Sequence, residues 1–425
     1  MKNKIWKLSC WVALLLATYL IIATIYFGYS EVDEQKGVYT FYWSGINAIF
    51  DKNKEFGIKR NKAVETKLNG SDGPYVFENV SYIVDAKNRF RKTLLTSNRK
   101  LVVTVDRPLN FTFEVNLDSC YERPAQSYKM PKKLVAISDI EGNFTGFYSF
   151  LLANKIIDKD CNWIYGDGHL VLNGDFVDRG KQVTQVLWLI YKLDQQAKQA
   201  GGKVHYLLGN HEIMMLQGNV SYADFKYIEA AKRISKNSNW RDAMCFLYVQ
   251  HSELGKWLRT KNIIEKIGKT IFVHAGLNMQ HVNGKLSIRE LNNIARLHYG
   301  TSYNNQFTGT KENLILSSIY SPYWDRGLAM DFKHTLLFSL NGINAKKTTQ
   351  TQVDSVLNFY KGSRIVIGHS IVNDIQYDYN GSVVKIDIKH SEIMFSGSTK
   401  GVLISNAEVF KLNDKGHQER LECKR

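Results

Sequence analysis

The chain has 425 residues, of which 44% are hydrophobic and 23% charged, which excludes a disordered polymer and leaves room for one large core or two domains. Five cysteines exclude a disulfide-built scaffold, and 5 prolines with 30 glycines exclude collagen-like or linker-like sequence. The net charge of +16 points to an anionic partner: nucleic acid, an anionic membrane surface or a phosphorylated substrate.

Leu8 to Tyr29 is a run of 22 residues without a charge, preceded by Lys2, Lys4 and Lys7 and followed by Glu31, Asp33 and Glu34. A helix of ~20 apolar residues crosses the hydrocarbon core, and the flanking charges keep the first residues cytoplasmic. Residues 1–30 are therefore expected to be a membrane anchor, with the rest exported, in a bacterium to the periplasm. The alternative is a cleaved signal and secretion. Residues 31–70 read as a basic stalk or a partly helical juxtamembrane segment. Residues 71–130 read as a β-rich segment packed on the main domain, carrying YVF, SYIV, KLVVTV and FTFEVNL. Cys120, Cys161, Cys245 and Cys423 allow three pairings or none.

Residues 131–425 are expected to form the main domain. Short apolar strands are predicted at 133–138, 169–174, 203–209, 270–276, 364–370, 383–387 and 400–405. Helices are predicted at 180–200, 222–236, 251–260 and 287–298, and the tail 407–425 reads as a solvated end. Five of the strands end in Asp139, Asp175, Asn210, His274 and His369. In α/β proteins, sites form outside the carboxyl ends of strands.

The motifs SDIEGN (138–143), NGDFVDRG (173–180), LGNHE (208–212), VHAG (273–276), SPYWDRG (321–327) and IGHS (367–370) carry these residues. Mixed Asp, Asn and His donors suit divalent first-row metals, and the absence of cysteine argues against structural zinc. Two ions need a bridging carboxylate, and Asp175 is placed for it. His211 is the candidate general acid, with Asp178 orienting its ring. Arg179 and Arg326 offer planar forks for phosphate oxygens. Tyr323 and Trp324 are read as walls of the substrate pocket. Among the other histidines, His390 is read as structural or at most a rim residue.

In their order and spacing, these motifs resemble the calcineurin-like metallophosphoesterases, in particular the bacterial or Shewanella-like branch of the phosphoprotein phosphatases. The resemblance spans roughly Lys133 to Asn406 and includes LGKWLRTKNIIEKIGKTIFVHAGL (254–277), while DGPYVF (72–77) resembles the segment that precedes the domain in bacterial members. It implies an α/β fold: a β-sandwich of two mixed sheets flanked by helices, here with a β-rich N-terminal extension and a transmembrane helix. It also implies that Asp139 and Asp175 bind a first metal, and Asp175, Asn210, His274 and His369 a second. A hydroxide activated by the two metals would attack phosphorus. The family usually has DxHG where this chain has Asp139-Ile-Glu141-Gly. Glu141 thus stands where a histidine ligand is expected. Taken as a ligand, it would favour manganese or magnesium over zinc or iron; manganese is the expected metal of the two-ion site, with iron, zinc or magnesium as alternatives.

The expected function is a metal-dependent phosphatase acting on phosphomonoesters of protein Ser, Thr or Tyr. The alternatives are a phosphodiesterase or dinucleoside polyphosphate hydrolase of the same superfamily, and a catalytically impaired phosphate-binding protein. The expected partners are a phosphorylated protein or small phosphoester and, through the N-terminal helix, a membrane. No motif supports nucleic-acid binding.

Overall fold

The computed structural model describes residues 2–27, 29–33, 37–42, 60–300, 310–330, 346–406 and 408–423. Two six-stranded mixed sheets form its centre. In one, the strands run in the order Lys203–Leu207, His169–Asn173, Leu134–Ile137, Lys400–Ser405, Glu408–Asn413 and Gln418–Arg420. In the other the order is Gln376–Asp378, Val383–Lys385, Arg364–Ile367, Thr270–Val273, Ile264–Ile267 and Ser127–Tyr128.

Strand periodicity explains why the central strands read as unbroken apolar runs. Leu134, Ala136, Val171, Phe272 and Val366 point into one apolar cluster contributed by both sheets. Their neighbours Val135, Ile137, Leu170, Leu172, Ile271, Val273, Ile365 and Ile367 point into a second, larger cluster shared with the helices. Successive side chains alternate faces, so a strand covered on both sides needs apolar residues at every position. Polar links also cross between the sheets: Asn173 Nδ2 donates to the carbonyls of Val273 (3.0 Å) and Val366 (3.3 Å), and His205 Nδ1 lies 2.6 Å from Glu265 Oε2.

Each sheet contains three neighbouring parallel strands: Lys203–Leu207, His169–Asn173 and Leu134–Ile137 in the first, and Val383–Lys385, Arg364–Ile367 and Thr270–Val273 in the second. Their carboxyl ends gather Asp139, Asp175 and Asn210 from one sheet and His274, His369 and Asp387 from the other. The helices Val183–Gln199, Phe225–Ser235, Glu253–Leu258 and Ile288–Leu297 lie where the apolar spacing predicts them. Phe144–Ala153, Asn210–Leu216, Trp240–Leu247 and Gln350–Phe359 are additional helices. The tail is not a solvated end in its described residues. Its strands Glu408–Asn413 and Gln418–Arg420 continue the first sheet, with Val409 and Leu412 buried.

The β-rich segment joins the main core. Tyr75, Val103, Val105, Phe113 and Val115 belong to the larger apolar cluster. Trp188 Nε1 donates to the Pro74 carbonyl at 2.9 Å, and Asp72 accepts from Thr184 Oγ1 (2.8 Å) and the Tyr75 hydroxyl (2.7 Å). Before it, Tyr29–Asp33, Val38–Tyr42 and Arg60–Ala63 pair as an antiparallel sheet, so the described part of the stalk is extended rather than helical. Residues 43–59 lie outside the described residues. Lys2–Phe27 is one helix, and its span Lys4–Ile22 is long and apolar enough to cross a membrane, with none of it buried. All five cysteines are free.

Candidate active site

The strand-end residues are held by backbone of an uncommon kind. Asp139, Glu141, Asp175, Asp178, Arg179 and His369 all have φ between 49° and 67°, in the left-handed region. Such conformations are unfavourable for residues with a Cβ and concentrate where function requires them. Two glycines let the loops close: a Cβ on Gly174 would lie 2.5 Å from His274 Nδ1, and one on Gly209 would lie 2.2 Å from Asp175 Oδ1. Glu212, fully buried, laces the loops together. Its carboxylate accepts from the backbone N–H of Gly209 (2.7 Å), Asp175 (2.9 Å) and Phe176 (2.7 Å) and from the Tyr206 hydroxyl (2.9 Å).

Four candidate ligands converge at the centre. Single ligand atoms of Asp175, His274 and His369 lie within 4.8 Å of one another. The Asn210 side-chain oxygen faces into the same space, 2.8 Å from His369 Nδ1, 3.1 Å from His274 Nε2 and 3.3 Å from Asp175 Oδ2. Acceptors facing acceptors in a buried site are what a bound cation would reconcile. The buried Nε2 of His369 has no protein partner. His274 is already oriented, because its Nδ1 donates to the Asn173 carbonyl at 2.8 Å and leaves Nε2 free to coordinate. The donor set fits a divalent ion.

The electrostatics point the same way. Burial drives the Asp139 carboxyl well above its usual range, and the neighbouring Asp387 and Asp175 add to the rise. Asp387 is pushed to about 7 by burial and by Asp175. Burial also opposes the charge on Asp175, but His274, His211 and His369 outweigh it and hold this carboxyl below the ordinary range. Carboxyls crowded to this degree need positive charge among them.

His211 lies beside this cluster. Its Nδ1 is 2.9 Å from Asp178 Oδ2, and its backbone N–H donates to Asp175 Oδ1 at 2.9 Å. Burial works against a charged ring, yet Asp175 and Asp178 outweigh it and hold the imidazole above its ordinary value. The Tyr222 ring stands 5.0 Å from the His211 ring at 69°. A cavity of about 490 Å³ opens over these groups and is lined by Asp139, Asp175, Asn210, His211, His369, Arg179 and Arg326 among others. The two arginines differ. Arg326 donates to the His369 carbonyl (3.3 Å) and Ser370 Oγ (3.0 Å), both neutral. Arg179 forms an ion pair with Glu141.

The motif residues Asp139, Asp175, Asp178, Arg179, Asn210, His211, His274, Arg326 and His369 thus come together. Glu141 reaches the cavity, but its carboxylate turns to Arg179 and does not join the convergent ligand atoms. Trp324 lines the cavity, its ring 5.7 Å from that of His369. Tyr323 does not line it: the ring is buried in the core, and only its carbonyl approaches Asn210, at 3.3 Å. Much of the long loop at 299–347 lies outside the described residues.

Asp387, Tyr222 and His390 are among the cavity residues that lie outside the motifs. Asp387 ends the strand region VVKID and obeys the same strand-end rule as the others, so its signal is present in the sequence. Tyr222 follows LGNHE on the way to the next helix. His390 lines the cavity with Nε2 2.8 Å from the Ser138 carbonyl, and burial holds this ring down to about 4.

Known proteins place this geometry in a family. Shewanella-like protein phosphatase 1 of Plasmodium berghei (strain Anka) is 32% identical over 181 residues, 43% of this chain and 48% of that protein. Shewanella-like protein phosphatase 2 of Arabidopsis thaliana is 24% identical over 329 residues, 67% of this chain and 76% of that protein. The chain thus spans about half the length of the first relative and three quarters of the second. A solved cold-active protein-tyrosine phosphatase of a psychrophilic Shewanella species superposes with a TM-score of 0.70 at 28% identity, covering 83% of this chain and 100% of that one. The model of the calcineurin-like phosphoesterase family matches residues 132–384, the stretch that carries Asp139, Asp175, Asn210, His274 and His369, and the chain belongs to that family.

Proposed function

We propose that the protein is a metal-dependent phosphatase that hydrolyses phosphomonoesters on protein side chains. The observation that carries this reading is the convergence of four ligand candidates and an imidazole–carboxylate pair beneath one cavity that two guanidinium groups also line. Asp175, Asn210, His274 and His369 would hold one ion, and Asp139 with Asp175 a second. When bound, such ions supply positive charge to the phosphoryl oxygens and acidify water, with Mn²⁺ the first to test. Arg326, with neutral acceptors behind it, grips a phosphate oxygen. His211 donates its Nε2 proton to the departing oxygen, and Asp178 fixes the ring through Nδ1 and stabilises its charge. The Tyr222 ring, beside His211, borders the space into which the leaving group departs. The Shewanella relative is a protein-tyrosine phosphatase, which supports tyrosyl phosphate among the substrates. The apolar helix Lys4–Ile22 supports membrane anchoring with the catalytic domain exported.

The test uses the full chain in detergent with Mn²⁺. Phosphotyrosyl and phosphoseryl peptides and p-nitrophenyl phosphate should be hydrolysed, and chelation should stop all three. A diester or dinucleoside polyphosphate cleaved as fast as the monoesters would displace this reading.

A further inference from the structure

The Glu141–Arg179 pair calls for an account that metal ligation does not give. The ligand candidates Asp139, Asp175, Asn210, His274 and His369 are 0–8% exposed. The Glu141 side chain is 27% exposed and that of Arg179 48%, so the pair sits at the mouth of the cavity. Its position is fixed by backbone. The Glu141 N–H donates to the Asp175 carbonyl and the Gly180 N–H to the Glu141 carbonyl, both at 2.9 Å, which laces the two loops side by side. The Arg179 N–H donates to the Tyr222 carbonyl at 2.9 Å, and its guanidinium lies 5.2 Å from the centre of the Tyr222 ring. These contacts keep the two backbones adjacent, while the side chains can part by rotation about their own bonds.

We infer that Glu141 is an internal counter-ion for Arg179, competing with the phosphoryl group for that guanidinium and thereby setting the affinity for phosphate. This rests on the phosphatase reading above. A carboxylate and a phosphoryl group present the same pair of anionic oxygens to a guanidinium. If phosphate takes the edge held by Glu141, the carboxylate must leave. If it takes the other edge, the carboxylate repels it. Both routes weaken phosphate binding. Partly exposed ion pairs are weak, so the pair can be displaced by a substrate that also engages Arg326. The consequence is a site that releases inorganic phosphate readily.

The experiment compares full-chain holoenzyme with Glu141→Gln, which keeps the shape, and Glu141→Ala, which removes the group. Three quantities are read: bound metal per chain, inorganic phosphate affinity by calorimetry, and KM against kcat on p-nitrophenyl phosphate. The expected result is unchanged metal content, with phosphate bound about 3- to 10-fold more tightly and KM lowered in both variants. Loss of metal from either variant, or phosphate affinity unchanged or weakened, overturns the inference. Wild-type protein that neither binds phosphate nor hydrolyses the ester with Mn²⁺ present overturns the phosphatase reading instead.

Discussion

The two halves of the cavity floor are built from different donors. On one side Asp175, Asn210, His274 and His369 combine two imidazoles, an amide and one carboxylate within a few ångströms. On the other, Asp139, Asp387 and Glu141 are carboxyls without an imidazole among them. The first half is organised in advance: the Asn173 carbonyl fixes His274, and Glu212 ties down the loop that carries Asp175. The second half carries mutual repulsion, seen in the raised Asp139 and Asp387, and turns one carboxylate outward to an arginine. The contrast teaches that the glutamate at position 141 adds no atom to the convergent ligands and instead engages one of the two arginines of the cavity.

The largest expected effect removes the group shared by both halves. Asp175→Asn should lower kcat by about 10³-fold or more, since several kcal/mol of charge stabilisation depend on it. Retained activity would break the comparison, because the halves would then be independent. His211→Asn should cost about 10²- to 10⁴-fold on peptides and much less on p-nitrophenyl phosphate, whose leaving group needs little protonation. Equal losses on both substrates would remove His211 as the acid.

Glu212→Gln tests the prior organisation of the first half. An amide NH₂ would face N–H donors where a carboxylate oxygen now accepts, so roughly 2–4 kcal/mol of stability should be lost. Metal affinity should fall about 10- to 100-fold, read by thermal unfolding and metal titration. Asp387→Asn probes the second half and should raise the Mn²⁺ concentration for half-maximal activity by roughly tenfold. No change would exclude Asp387 from the site's charge balance. The smallest contrast lies between the arginines: Arg326→Ala should reduce kcat/KM by about 10- to 100-fold and Arg179→Ala by less, because Glu141 already occupies the latter. The reverse order would undo the distinction.

Much of this site was legible in the sequence because buried parallel strands write themselves as apolar runs closed by a polar residue. Asp139, Asp175, Asn210, His274 and His369 stand out for that reason. Asp387 is written in the same way, at the end of VVKID, but no motif surrounds it. The tail strands are hidden because EVFKLN mixes charged with apolar residues and resembles a solvated end, although it lies between Lys400–Ser405 and the edge strand Gln418–Arg420. The helix Asn210–Leu216 starts inside a ligand motif, so its apolar spacing is masked by NHE. The pairing of Glu141 with Arg179 joins residues 38 positions apart across two laced loops, which spacing along the chain does not reveal.

The most direct test of the central claim is metal content measured with turnover on the full chain, before and after chelation. The account predicts about two divalent ions per chain, loss of phosphomonoester hydrolysis when they are stripped, and its return when Mn²⁺ is restored. Undiminished hydrolysis by protein stripped of its ions would contradict it.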